Sequence, residues 1–158
     1  MYRALAEWLA GSQLSEYLQA HFWVIPTLQI FHILMVAAVV ASVWMLSLRL
    51  LGVAGTKHSI ESMAQRFLPW MWSALVVLAI SGTLLTISEP LDSLLKPMMQ
   101  LKMALLLVGI VLTAAFQRGV RMGVYAGAPS VGTKVLGGAS LAVWLAIVAA
   151  GRLIAYVV

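Results

Sequence analysis

Residues 24–50 read VIPTLQIFHILMVAAVVASVWMLSLRL, and only His32 and Arg49 in this run carry an ionisable side chain. A helix needs about 20 mainly apolar residues to cross the hydrocarbon core of a bilayer, and this run exceeds that length. An isolated apolar segment in lipid must satisfy its backbone internally, and the period-two alternation of barrel strands is missing here. The run therefore predicts a transmembrane helix.

Three further runs have the same character, and the composition of the whole chain agrees with them. We predict spans at about 23–50, 68–87, 97–116 and 135–157. Of the 158 residues, 63% are hydrophobic and 9% are charged, whereas soluble domains contain about 25% charged residues. The composition excludes a soluble globular protein. The sequence predicts an all-α integral membrane protein, with residues 1–158 forming a single membrane domain built as a four-helix transmembrane bundle.

The first 20 residues, MYRALAEWLAGSQLSEYLQA, have a different pattern. Leu5, Trp8 and Leu9 recur at helical spacing among polar residues, which is typical of an amphipathic helix lying in the membrane interface. The Gly11-Ser12 pair is expected to interrupt this helix, with Ser12 or Ser15 capping a second turn.

Orientation follows from the Lys and Arg residues near the span ends, because positive loops stay on the cytoplasmic side. The connections after the first and third spans carry Arg49, Lys57, Arg66, Arg118, Arg121 and Lys134, whereas the other side carries Arg3 and Lys96. We therefore predict a multi-pass protein of a bacterial inner membrane with both termini in the periplasm. These cations are scattered at span ends rather than clustered on one polar face, which excludes nucleic acid as a partner.

Three ionisable residues lie inside the predicted spans: His32, Lys102 and Arg152. Each costs about 2.5–3.5 kcal/mol to insert, so each is a candidate functional residue. All three lie in the outer half of the membrane, and Gln29 shares a helical face with His32. A structural role for each of these residues also remains open. The long side chains of Lys102 and Arg152 can extend to the membrane interface, and a neutral His32 can form a hydrogen bond to a neighbouring helix. The small and polar residues that share the face of Lys102 favour an inward direction for its side chain.

A histidine on a membrane helix, small residues around it and nearby cations are the components of a b-type haem site. His32 is the predicted iron ligand, and Lys102 and Arg152, with Gln29, are predicted to receive the propionates or a polar substrate group. His21 cannot share the iron with His32, because eleven residues of unbroken helix separate the two by ~16 Å. His58, in the loop after the first span, is expected to be exposed. The second axial ligand is left open.

Three segments carry a family resemblance: IFHILMVAAVVASVWMLSLRLLG (30–52), RFLPWMW (66–72) and PMMQLKMALLLVGIVLTAAF (97–116). Together they resemble small bacterial four-helix membrane proteins related to the copper-resistance D-type membrane domain and to the membrane-bound, haem-containing protoporphyrinogen oxidase. The resemblance implies a four-helix architecture, with His32 as haem ligand and Lys102 as a second site residue. After the third helix, the further His and aromatic positions of the oxidase branch are not found. The resemblance therefore implies haem binding rather than that particular oxidation.

Three classes of function follow. The first is a membrane b-type haem protein that acts in electron transfer or oxidises a quinone-like or porphyrin substrate. The second is a cofactor-free subunit that assembles a larger membrane complex. The third is a copper or small-solute transport protein, since Met98, Met99 and Met103 lie together and thioethers favour Cu(I).

Small residues recur every four positions on the fourth span and favour close helix contact within the bundle or in a homo-oligomer: Gly138, Ala142, Ala146 and Ala150.

Overall fold

A computed structural model describes residues 2–126 and 129–153, and every regular element in this part of the chain is a helix. Its helices are α1 (Tyr2–Ala10), α2 (Gln13–Ala20), α3 (Val24–Leu51), α4 (Ile60–Ser88), α5 (Pro90–Leu94), α6 (Pro97–Arg121) and α7 (Val131–Leu153). Four of them, α3, α4, α6 and α7, are long and apolar enough to cross a membrane. The predicted four-span helical architecture is thus confirmed. The end of the fourth predicted span, residues 154–157, lies outside the described residues.

The four long helices pack in the order α4, α3, α7, α6. Contacts are extensive between α3 and α4, between α3 and α7, and between α6 and α7, whereas α4 and α6 touch sparsely. One polar contact joins α4 to α6, because the Trp72 indole N–H donates to Gln117 Oε1 at 3.0 Å. Large apolar side chains such as Ile33, Ile80 and Val111 are well exposed on these helices. Such surfaces require a lipid bilayer around the bundle.

Buried apolar side chains occupy the centre of the bundle and its basic end. The central cluster comprises Val39, Val43, Met71, Ala74, Leu75, Trp144 and Ile147. The cluster at the basic end comprises Leu46, Leu50, Ile60, Met63, Ala64, Leu68 and Phe116. On α3 every fully buried residue lies at Val39 or beyond, so the outer third of this helix has no fully buried side chain.

The N-terminal segment forms two short helices rather than one. The Ser12 hydroxyl accepts a hydrogen bond from the Ser15 backbone N–H at 3.2 Å, which makes Ser12 the cap of α2. The break expected at Gly11-Ser12 is therefore confirmed. Gln19 Nε2 donates to the Ser88 carbonyl at 2.8 Å and fastens α2 to the outer end of α4.

Two details differ from expectation. Helix α4 begins at Ile60, well before the apolar run at residue 68, because Ser59 caps it and its first two turns bury apolar side chains against α3. The close α3–α7 contact occurs at Gly137 rather than at Gly138. A Cβ on Gly137 would lie 2.8 Å from Leu50 Cβ, whereas one on Gly138 would meet nothing within 4 Å.

Candidate functional site

His32 lies on the face of α3 that turns toward the rest of the bundle. The half-buried residues on this face are spaced four and three positions apart: Leu28, His32 and Met35. The fully buried Val39, four positions further on, continues the same face. This spacing is that of an inward helical face. The flanking Phe31 and Ile33 are 54% and 66% exposed, so the imidazole stands at the boundary between the bundle and its lipid-facing surface.

The imidazole of His32 is fixed by the hydroxyl of Ser81 on α4. His32 Nδ1 lies 2.8 Å from Ser81 Oγ, and Ser81 Oγ donates its proton to the Val77 carbonyl, also at 2.8 Å. A hydroxyl has one proton to give, so when Ser81 donates to the Val77 carbonyl it accepts from His32 Nδ1–H. In the neutral ring, Nε2 then carries the free lone pair.

Gly82 lets the ring of His32 approach the backbone of α4. A Cβ added at Gly82 would lie 3.3 Å from His32 Cε1, which is closer than ordinary van der Waals contact. The adjacent residues Ser81 and Gly82 therefore act together: one orients the imidazole and the other makes room for it. Sequence reasoning did not single out either residue. The feature of the sequence that could have indicated them is a Ser-Gly pair on the second span, at about the same depth as His32 on the first.

Lys102 extends into the bundle from the first turns of α6. Its side chain is half-buried and runs along α7, because a Cβ on Gly151 would lie 3.6 Å from Lys102 Nζ and 3.7 Å from Cε. In the described part of the chain the backbones of α3 and α6 do not come within 8 Å of each other (Cα–Cα), so α4 and α7 separate the helix of His32 from that of Lys102. The inward direction that we expected for Lys102 is the one observed.

Gln29 and Arg152 occupy the periphery of this site. Gln29 is exposed one helical turn from His32, toward the outer end of α3. Arg152 is exposed in the last turn of α7, directly after the glycine that Lys102 contacts. Both residues lie at the same end of the bundle as His32, and the close contacts described for the imidazole are with Ser81 and Gly82.

The other two histidines lie outside the spans. His21 follows α2, where its Nδ1 lies 2.9 Å from the Tyr17 carbonyl and its ring stacks on the Tyr17 ring at 4.3 Å. His58 is exposed in the α3–α4 loop, as expected, and its carbonyl accepts a hydrogen bond from Arg49 Nε at 2.7 Å. His32 is thus the histidine that faces the bundle.

The three methionines near Lys102 lie on the first two turns of α6. Met98 and Met99 are half-buried, and Met103 is 43% exposed. Among the described residues no cluster of three or more His, Asp or Glu side chains is placed to hold a metal ion. A metal held at this end would therefore depend on His32, on thioethers or on a cofactor.

A second polar group is buried deeper in the bundle. Trp144 is 3% exposed and packs on Gly109, where a Cβ would lie 3.2 Å from the indole Cε2. Its indole nitrogen finds no hydrogen-bond partner among the described residues. Trp144 thus belongs to the packed core, whereas Trp44 on α3 is 46% exposed.

Comparisons with known proteins identify the family of the chain. No curated protein and no solved structure matches it. One family model covers residues 5–157, a range that includes all four spans and the candidate residues His32 and Lys102. The chain therefore belongs to the DUF6644 family, a family of unknown function.

Proposed function

We propose that the protein is a membrane b-type haem protein in which His32 Nε2 binds the iron. The observation that carries this proposal is the 2.8 Å hydrogen bond between His32 Nδ1 and Ser81 Oγ, in which we assign the histidine as the donor. Histidines that bind metal through one ring nitrogen usually donate the other N–H to a fixed acceptor, which sets the tautomer and orients the ring. Ser81 supplies that acceptor, and the free lone pair of Nε2 is the group that an axial ligand needs.

Lys102 supports the same proposal through its charge. A haem carries two propionates, and cations near the outer surface of the membrane are suited to receive them. Lys102 is half-buried and makes no hydrogen bond to the other described residues. An inward-directed cation in a span is costly unless it meets an anion, which makes an anionic group its expected partner. Arg152, at the same end of the bundle, would hold a second anionic group.

The outer part of the bundle offers room for a flat ligand beside His32. Helix α3 has no fully buried residue before Val39, and α4 and α6 touch sparsely. The cavities at the bundle centre and at its basic end do not border His32. The macrocycle would therefore lie in the lipid-facing seam between helices, or between two copies of the chain, rather than in an enclosed slot.

The roles of the protein residues follow from their positions. When bound, the haem iron supplies a one-electron couple between its ferrous and ferric states. Ser81 holds the His32 ring and its proton, Gly82 sets how closely that ring approaches α4, and Lys102 neutralises negative charge at the outer edge. A quinone-like or porphyrin substrate would approach from the lipid side of the seam, since the residues flanking His32 are exposed there.

The same proposal includes the setting. We place the chain in a bacterial inner membrane with both termini on the periplasmic side, because the six cations at the ends of the first and third connections favour the cytoplasm. The polar site then lies in the periplasmic half of the bilayer. The resemblance to the copper-resistance D-type and haem-containing oxidase group remains a prediction that agrees with this assignment.

The visible spectrum of the purified protein tests the proposal. Protein produced in haem-sufficient cells should show a Soret band, and its pyridine haemochrome should give haem b in stoichiometric amount. Stoichiometric copper without that absorbance would favour transport. Neither haem nor copper would favour a cofactor-free subunit, in which the His32–Ser81 bond serves only to join α3 to α4.

A further inference from the structure

A cavity at the basic end of the bundle lies far from the His32 site and takes no part in the haem proposal. Its volume is about 240 Å³, and it is lined by Arg49, Ser59, Ile60, Glu61, Val120, Gly123, Tyr125 and Ala126. These residues come from the last turn of α3, the start of α4 and the end of α6 with its following turn. The cavity therefore lies where the ends of three candidate membrane spans meet.

Two opposite charges line this cavity without neutralising each other. Arg49 donates from Nε to the His58 carbonyl at 2.7 Å, which fixes the guanidinium at the cavity wall. Glu61 is exposed in the first turn of α4. Within the described part of the chain, Arg49 and Glu61 form no ion pair with each other or with another side chain. The cavity thus presents one cation and one anion to whatever enters it.

Tyr125 adds a neutral donor to the same wall. Its ring lies on Gly119, where a Cβ would be 2.6 Å from Tyr125 Cε2, and it packs beside the Phe116 ring at 5.4 Å. Burial raises the pKa of the Tyr125 phenol, so the hydroxyl stays protonated at neutral pH. That hydroxyl makes no hydrogen bond to another described residue. Tyr125 lines the cavity, and its hydroxyl is the hydrogen-bond donor that the residue can offer to a ligand.

We propose that this cavity binds the headgroup of a zwitterionic aminophospholipid of the phosphoethanolamine type. Arg49 would receive the phosphate in charge-assisted hydrogen bonds, with the Tyr125 hydroxyl as a second donor. Glu61 would accept from the primary ammonium, which a glycerol headgroup lacks and a choline headgroup replaces with a non-donating quaternary ion. The cavity lies below the size range of pockets for drug-sized ligands, about 300–1,000 Å³, and so suits a headgroup better.

Lipid retention in native mass spectrometry tests the assignment. The full chain is equilibrated in detergent with equal amounts of phosphatidylethanolamine, phosphatidylglycerol and phosphatidylcholine that carry the same acyl chains. The wild-type protein should retain phosphatidylethanolamine in preference to the other two. Equal retention of all three, or a preference for phosphatidylglycerol, would overturn the proposal. Soluble phosphoethanolamine should compete only weakly, whereas strong competition would identify a free phosphoamine rather than a lipid as the ligand.

Three variants distinguish lipid binding in this cavity from non-specific lipid binding to a basic surface. Glu61→Gln should keep total phospholipid retention and lose the preference for phosphatidylethanolamine over phosphatidylglycerol, and its exposed position makes a folding defect unexpected. Arg49→Gln should lower phosphatidylethanolamine retention by at least about tenfold, the loss expected for a charge-assisted hydrogen bond. Arg118→Gln removes an exposed cation that does not line the cavity and should leave retention unchanged. Equal losses in Arg49→Gln and Arg118→Gln, or an unchanged preference in Glu61→Gln, would refute the site.

Discussion

The His32 imidazole and the Ser81 hydroxyl join the N-terminal half of α3 to α4 at 2.8 Å. When Ser81 donates its proton to the Val77 carbonyl, it accepts a hydrogen bond from the histidine. This relationship holds the ring in one tautomer and leaves Nε2 unprotonated. The position of one hydroxyl therefore decides which nitrogen of His32 can bind a ligand.

Removal of that hydroxyl should weaken the site without unfolding the bundle. In Ser81→Ala, the His32 N–H loses its acceptor and the ring loses its orientation. We expect haem affinity to fall by about 10- to 100-fold, the usual effect of removing a hydrogen-bond partner from a metal-binding histidine. Haem titration of the apoprotein measures this change. Ser73→Ala is the matched control, since Ser73 is exposed on the same helix and its hydroxyl donates to the Trp70 carbonyl at 2.9 Å. An equal loss in both variants would contradict the role given to Ser81.

Removal of the cation should act on the redox potential instead. Lys102→Ala should retain haem with weaker binding, and the reduction potential should fall. A nearby positive charge stabilises the ferrous state, which carries one positive charge fewer, so its loss favours the ferric state. Coulomb's law at an effective dielectric constant near 20 gives a shift on the order of tens of millivolts. Spectroelectrochemical titration measures it, with Lys134→Ala, an exposed cation near the opposite membrane face, as the control. An unchanged or higher potential would exclude Lys102 from the site.

A pair of neighbouring glycines tests the packing of α3 on α7. Gly137→Ala should destabilise the bundle by about 1–3 kcal/mol, because its Cβ would meet Leu50 Cβ at 2.8 Å and the Ser47 carbonyl at 3.1 Å. Gly138→Ala meets nothing within 4 Å and should be neutral, or should stabilise by up to about 1 kcal/mol through its higher helix propensity. Thermal unfolding in detergent compares the two variants. A more harmful substitution at Gly138 than at Gly137 would contradict the packing described.

The orientation can be mapped directly because the chain contains no cysteine. Single substitutions Lys57→Cys and Arg121→Cys introduce thiols at exposed positions on the basic side, and Gln13→Cys introduces one at the start of α2. In intact cells, a membrane-impermeant maleimide should label only the Gln13→Cys variant, because the positive loops are expected to be cytoplasmic. Labelling of Lys57→Cys or Arg121→Cys without permeabilisation would invert the topology.

Sequence patterns predicted the spans well because span length and charge are local properties. They also anticipated the break at Ser12 and the inward direction of Lys102, which follow from capping chemistry and from the small residues on one helix face. They did not predict the start of α4 at Ile60, since those first turns are held by contacts with α3 rather than by their own hydropathy.

Sequence patterns could not predict which residues contact the site residues, for a related reason. Which serine meets His32, and whether Gly137 or Gly138 meets Leu50, depends on the rotation and register of two helices. A helix turns about 100° per residue, so a shift of one position along α7 moves from a glycine that packs against α3 to one that faces open space. The hydropathy of an apolar span does not determine that rotation.

The measurement that tests the central claim most directly is the haem-to-protein ratio of His32→Ala beside His58→Ala. The account predicts that His32→Ala loses stoichiometric haem while it keeps its helical content, since alanine is tolerated in a spanning helix, and that added imidazole restores part of the Soret band. His58→Ala should retain a normal spectrum, because His58 is exposed in a loop. A full and unshifted haem spectrum in His32→Ala would contradict the account and place the iron ligand elsewhere.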